Sequence, residues 1–326
     1  MAMLPRRHAL ALAGGASLAA GVRTARAATS GDKLRIGVLG DQSGITSAPG
    51  GLGAVAAVRM AVADFGGRAV GRAIEVIDAD CKLKPDIAAQ IAGRWYDEDA
   101  VDVIVDLPQT AVALAVIDVA RRRGRSTIVS GATASAITGA QCAEFNVHWV
   151  DDTFALANVT GRAIVADGKK DWFFITADYT FGHELQQQAT DAIVATGGKV
   201  LGSARHPFGN ADFSSFLLEA QTSGAQVVAL ANVGSDLITA IKQSHEFGLA
   251  SGGRQIVGLL VFINDIHALG LDVAQGMYVT SGFYWDQNDE SRRFAKRFGE
   301  ATGAMPSKEQ ASAYASTLHF LRVVEA

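Results

Sequence analysis

The sequence is poor in cysteine, proline, aromatic residues and charge. Two cysteines in 326 residues allow one disulfide at most, which excludes a scaffold held by a framework of bridges. Six prolines and 49% hydrophobic residues exclude disorder and collagen, and suit about two folded domains. Basic side chains are outnumbered 29 to 33, a net charge of -4, so no overall positive field exists to hold phosphate backbones and no nucleic-acid partner is expected. The histidines show no H-E-x-x-H spacing and the cysteines no C-x-x-C, so no metal is expected. No serine sits at the centre of a G-x-S-x-G elbow: Gly40-Asp41-Gln42-Ser43-Gly44 has the wrong order.

Acid is missing altogether from the first 31 residues. They read as three zones: a basic start at Arg6 and Arg7, an apolar run over 9–22, and Ala25-Arg26-Ala27. This is the pattern of a signal peptide spanning 1–27, and the run is shorter than the roughly 18 to 20 residues of a membrane span. Loss of Arg6, Arg7, Arg23 and Arg26 leaves 25 basic against 33 acidic side chains, so the mature chain carries -8. The paired arginines leave the twin-arginine and general secretory routes both open. Either route leads to a periplasmic protein.

What is present is an alternation of short β-branched runs with amphipathic stretches, the signature of parallel strands covered by helices. Strands are expected over 34–39, 73–78, 101–106 and 126–130, with helices over 53–65, 86–97 and 110–123. A second series has strands opening at Asp171 and near 199–203, 226–231 and 255–260, then a strand over 276–280 and helices over 290–298 and 308–324. The fold class is therefore α/β, with two doubly wound parallel-sheet lobes joined by a hinge. The first lobe is expected over 33–150, with 284–326 returning to it, and the second over 151–283. Open parallel sheets bind ligands beyond the carboxyl ends of their strands. The informative loops are thus 40–51, 107–110 and 131–138 in one lobe and 177–182, 232–235 and 261–265 in the other.

Several of these segments together resemble the type I periplasmic solute-binding proteins of ABC importers, in the Leu/Ile/Val-binding branch. They are Leu34-Arg35-Ile36-Gly37-Val38-Leu39 with Ser43-Gly44, Val101-Asp102-Val103-Ile104-Val105, Ser130-Gly131-Ala132-Thr133, Ala177-Asp178-Tyr179-Thr180-Phe181-Gly182, Asp212-Phe213 and Gly276-Met277-Tyr278-Val279. The resemblance covers essentially the whole mature chain. It implies a monomeric, non-enzymatic receptor, without cofactor, that closes two lobes on a small solute and presents it to a permease. The positions it assigns to the ligand's carboxylate are Gln109, Thr110, Ala132 and Thr133. Helix starts there offer unpaired N–H groups and a partial positive charge, so an anion can be held without arginine. Tyr179 and Phe181 are the implied aromatic cover, with Asn232 and Phe262 as side walls.

Two departures stand out. Amino-acid receptors of this branch hold the ligand's ammonium group with an acid after the fourth strand of the second lobe, where this chain reads Leu260-Val261-Phe262-Ile263. The expected ligand is thus a carboxylate with an apolar or aromatic body, unless a shifted alignment brings Asp265 into that place. The chain is also expected to be shorter than its relatives at the carboxyl end.

Other motifs admit simpler readings. Gly51-Leu52-Gly53-Ala54-Val55-Ala56 matches G-x-G-x-x-A, and with Asp78 it supports the alternative of an NAD-dependent oxidoreductase. Roughly a dozen residues separate it from the first strand, however, where the fingerprint needs a tight turn. Arg121-Arg122-Arg123 before Gly124 suits a helix C-terminus. For Cys81 and Cys142, expected near the same end of the first sheet, a bridge and two buried thiols remain alternatives.

Overall fold

The computed structural model describes residues 32–326; the expected signal peptide lies outside them. Strands β1 (Lys33–Gly40), β2 (Arg68–Ala69), β3 (Arg72–Asp80), β4 (Val103–Asp106), β5 (Ser126–Val129) and β6 (Asn146–His148) form one sheet in the order β2-β3-β1-β4-β5-β6. All its pairs are parallel except the β2–β3 hairpin. Helices α1 (Gly51–Asp64), α2 (Pro85–Asp97) and α3 (Thr110–Arg123) connect the strands and cover both faces. Covered on both sides, β4 reads as an unbroken buried run instead of an alternating one.

Helix α3 shows how local sequence sets boundaries. Gln109 caps its start, its Oε1 accepting the Val112 N–H at 3.0 Å, and Gly124 ends it in the left-handed conformation (φ 60°). The last turn carries the three arginines against the helix dipole. Arg121 and Arg122 pair with Asp118, and Arg123 with Asp97.

The second sheet contains β7 (Asp171–Ala177), β8 (Lys199–His206), β9 (Val227–Ala231) and β10 (Gln255–Gly258), in the order β10-β9-β7-β8, all parallel. Around it lie α4 (Thr153–Ala166), α5 (Thr180–Ala195), α6 (Ser214–Thr222), α7 (Ser235–Glu246), α8 (Ile263–Leu269) and α9 (Leu271–Ala274). The chain passes from the first sheet to the second through 149–152. Its last two helices, α10 (Asp289–Thr302) and α11 (Lys308–Glu325), pack on the first lobe: Phe298, Ala313 and Leu321 join the core of Val38, Val55 and Val58.

Two expectations fail. Residues 277–280 form no strand, because Gly276 (φ 80°) turns the chain off the edge of β10 and side chains replace the ladder. Gln255 Nε2 donates to the Gly276 carbonyl at 3.1 Å, Thr160 and Thr280 hydroxyls meet at 2.8 Å, and the Tyr278 hydroxyl donates to Asp167. Nor do the cysteines pair. The Cys81 N–H extends the β1–β3 ladder to the Gly40 carbonyl at 2.8 Å and sends the thiol into the core, whereas Cys142 lies on an exposed loop. One thiol is buried and one is not, so neither alternative for the pair holds.

Candidate ligand cleft

The loops leaving β4 and β5 carry the polar side of the cleft. Asp106 and Leu107 sit at positive φ (86° and 62°), a conformation that costs a non-glycine residue on the order of 1 to 3 kcal/mol. Backbone bonds hold them there: the Leu107 N–H donates to the Leu39 carbonyl at 3.1 Å, and the Ser130 and Gly131 N–H groups both donate to the Asp106 carbonyl at 3.0 Å. The kink delivers Pro108, Gln109 and Thr110 to the rim, opposite Gly131, Ala132 and Thr133. The Ala132 N–H is spent on the Leu107 carbonyl, and the Gln109 side-chain oxygen on its helix cap. Among the described residues, the Thr110 and Thr133 hydroxyls make no hydrogen bond, so they are side-chain donors the first lobe leaves to a solute. His148 Nε2 donates to the Ala132 carbonyl at 2.7 Å, and burial lowers the pKa of its ring.

The second lobe supplies the apolar side. Tyr179 precedes the first turn of α5 and stands 5.7 Å from the Phe181 ring and 5.1 Å, edge-on, from Phe208. Val233 and Leu260 complete this wall, and Thr46 closes the pocket from the loop after β1. Asp41 shapes that loop: its carboxylate accepts from the Gly44 N–H at 2.8 Å and from the Thr46 N–H and hydroxyl at 2.9 and 2.8 Å. Across the lobes, Glu184 accepts from the Ser135 hydroxyl at 3.2 Å and Gln188 donates to the same hydroxyl oxygen at 2.7 Å. The space enclosed is about 20 Å³, room for one water-sized sphere. A solute can therefore enter only after the lobes separate.

Gln109, Thr110, Ala132, Thr133, Tyr179 and Phe181 thus meet in one pocket. Asn232 and Phe262 do not reach it. Asn232 is fully buried behind the wall, its Nδ2 donating at 3.3 Å to His206 Nε2, whose Nδ1 donates to the Pro207 carbonyl. Phe262 packs beneath Lys308, 5.6 Å from its ammonium group, and its ring faces a different hollow shared with Tyr284 and Trp285. Asp265 is also turned away, its Oδ2 accepting the Phe262 N–H at 2.8 Å. The shifted alignment therefore brings no acid from the second lobe.

An acid does reach the cleft from an unexpected element. The first turn of α11 is buried although every residue in it is polar: Ser307, Lys308, Glu309 and Gln310 are 0 to 4% exposed. Ser307 donates to the Pro49 carbonyl, Lys308 pairs with Asp151 in the crossing segment, and Gln310 Nε2 donates to the Ala48 and Gly50 carbonyls at 3.2 and 3.1 Å. Glu309 points into the pocket, and its Oε2 has no partner among the described residues. Loss of hydration, with the neighbouring Asp106 adding to it, pushes its pKa well above the usual carboxylate range.

Gln310 also accounts for the glycine motif. A Cβ on Gly53 would stand 2.2 Å from Gln310 Nε2, so the glycine admits a packed side chain over the start of α1, where a dinucleotide would place its pyrophosphate. The oxidoreductase reading loses its site.

The model of the periplasmic binding protein family matches residues 33–326. A solved periplasmic binding protein from Burkholderia mallei is 44% identical, covering 90% of this chain and 78% of its own with a TM-score of 0.88. A branched chain amino acid ABC transporter periplasmic ligand-binding protein from Burkholderia xenovorans is 34% identical over 90% and 78% of the two chains, with a TM-score of 0.80. The Leu/Ile/Val-binding protein homolog 6 of Brucella melitensis is 25% identical over 86% of this chain and 72% of its own. The expected fold and family agree with these findings, and the chain belongs to the periplasmic binding proteins, in the Leu/Ile/Val-binding branch of ABC-transporter solute receptors.

Proposed function

We propose that the cleft captures a small carboxylate with an apolar or aromatic body, that the chain performs no catalysis, and that its closed form is what a permease recognises. The exported location, by either secretory route, and the assignment of 33–150 with 284–326 to one lobe and 151–283 to the other belong to the same reading. One observation supports the ligand class above the rest: two unspent hydroxyls, Thr110 and Thr133, face Tyr179, Phe181, Phe208, Val233 and Leu260 across one pocket. The second lobe lines that pocket with aromatic and aliphatic side chains, the Tyr179 hydroxyl being their polar group, and no acid, so it offers an ammonium group no counter-charge, while the first lobe offers a carboxylate donors. Binding energy that favours the closed over the open arrangement would do the signalling.

A thermal-shift and calorimetry panel of aromatic carboxylates, short aliphatic acids, branched-chain amino acids and NAD tests this. A ligand present at a thousand times its Kd adds about 4 kcal/mol of stability. Acids lacking an amino group should give the shift; a response confined to α-amino acids overturns the ligand class, and one confined to NAD overturns the receptor reading.

A further inference from the structure

We propose that Glu309 is the group that reads the solute's carboxylate, donating its O–H to it beside the Thr110 and Thr133 hydroxyls, so that capture of the anion is coupled to a proton on Glu309. This rests on the carboxylate reading above and assigns it a third donor, from an element outside the six strand-end loops.

The geometry leaves Glu309 few other roles. It is 4% exposed, lines the same pocket as the two threonines, and has an unpartnered Oε2. Acids dominate its electrostatic surroundings: Asp106 at the end of β4, Asp151 in the crossing segment and, with its carboxyl turned to the Phe262 N–H, Asp265 on α8; across the pocket Tyr179 is the titratable group of the second lobe. The cation near it, Lys308 of its own helix, is paired with Asp151 and lies over the Phe262 ring. Asp106 faces Asp41 in turn, whose oxygens are taken by Gly44 and Thr46. The point where a Cβ on Gly50 would stand is 3.6 Å from Glu309 Oε2 and 3.8 Å from Asp106 Oδ1, so the two carboxyl groups converge on one buried space. Ionised, Glu309 would set a second negative charge against an incoming carboxylate at a buried position, where screening is weak. As the acid it supplies an O–H···O⁻ bond, among the stronger hydrogen bonds available. No covalent bond changes; the proton stays between the two oxygens.

Calorimetry of the full chain with benzoate, isovalerate and L-leucine, over the whole pH range in which the protein stays folded, decides the matter. Benzoate or isovalerate affinity should fall by up to roughly tenfold per pH unit once Glu309 ionises. Paired buffers of different ionisation heat should then report uptake of up to one proton per site. Glu309→Gln should bind several-fold more weakly than wild type at the acid end of the range, lose the slope, and overtake wild type once Glu309 has ionised. Carboxylate affinity that is flat with pH and takes up no proton overturns the role of Glu309 and leaves the carboxylate reading standing. Binding of L-leucine alone, strengthening as pH rises and lost in Glu309→Gln, overturns both and makes Glu309 an ammonium counter-ion. Silence from both carboxylates also overturns both. Proton uptake is measured on wild type, so the outcome does not depend on the variant folding.

Discussion

The carbonyl oxygen of Ile45, in the first lobe, lies 2.3 Å from the point that a Cβ on Gly234 would occupy in the second. Gly234 precedes α7 with φ 64°, so it supplies both a backbone conformation that other residues resist and a surface on which the opposite lobe can rest. Closure is thus limited by backbone against backbone. Gly234→Ala should fold, with on the order of 1 to 3 kcal/mol lost to the positive φ, but should hold the lobes apart and weaken solute binding by roughly tenfold or more. Small-angle scattering with saturating solute should report a more open molecule than wild type. Equal affinity in the two proteins would remove this contact from the closing mechanism.

The unspent hydroxyls give a second prediction. Thr110→Val and Thr133→Val keep shape and burial while removing a donor each, and a hydrogen bond to a charged group is worth about 1.5 to 3 kcal/mol. Each should therefore weaken carboxylate binding by roughly ten- to a hundredfold, with serine at either position restoring most of it. Calorimetry on the four variants checks this. A valine variant with unchanged affinity would take that threonine out of the site.

Much of this arrangement is legible in the chain, because strand, helix and cap signals are local. The boundaries expected for the third helix, Thr110 to Arg123, coincide with those observed, since a polar cap, an arginine-rich last turn and Gly124 mark it on both sides. β6 was not foreseen: three residues at a sheet edge are too few for a period to register. The 276–280 run has strand composition but is turned off the edge of β10 at Gly276, and composition cannot report whether a run pairs with its neighbour. Site residues on strand-end loops could be named from topology, whereas Asn232 and Phe262 belong to such loops yet turn inward. Glu309 was hidden for the opposite reason. Ser307 and Gln310 form a capping box, the Gln310 N–H donating to Ser307 Oγ at 3.1 Å and the Ser307 N–H to Gln310 Oε1 at 2.9 Å. A polar, capped first turn reads as solvated, and only the folded chain shows what lies over it.

The cysteines should differ in chemistry as they do in place. Burial pushes the Cys81 thiol up to about 12, so it carries almost no thiolate at neutral pH. Cys142 is exposed. A maleimide should label one site per native chain, at Cys142, and two after denaturation, and reductant should leave Tm unchanged. A Tm that falls on reduction would mean that the two form a bridge.

Asp106 makes the stability of the protein depend on pH in an unusual direction. Its carboxyl is 1% exposed, neither oxygen has a partner among the described residues, and Asp41 stands nearby, so its pKa is pushed up to about 8. In the unfolded chain the group titrates near 3.9. Below about pH 4 it is neutral in both states and costs nothing. Between about pH 4 and about pH 8 the unfolded chain has released the proton and the folded one keeps it, so stability falls as pH rises, by an amount on the order of 5 kcal/mol before it levels off. Asp106→Asn cannot ionise. It should match wild type within about 1 kcal/mol near pH 4 and exceed it by several kcal/mol at pH 8. Calorimetric unfolding at a series of pH values measures that difference, and a gap that stays constant from pH 4 to pH 8 would mean that Asp106 is ionised in the folded protein with a partner of its own.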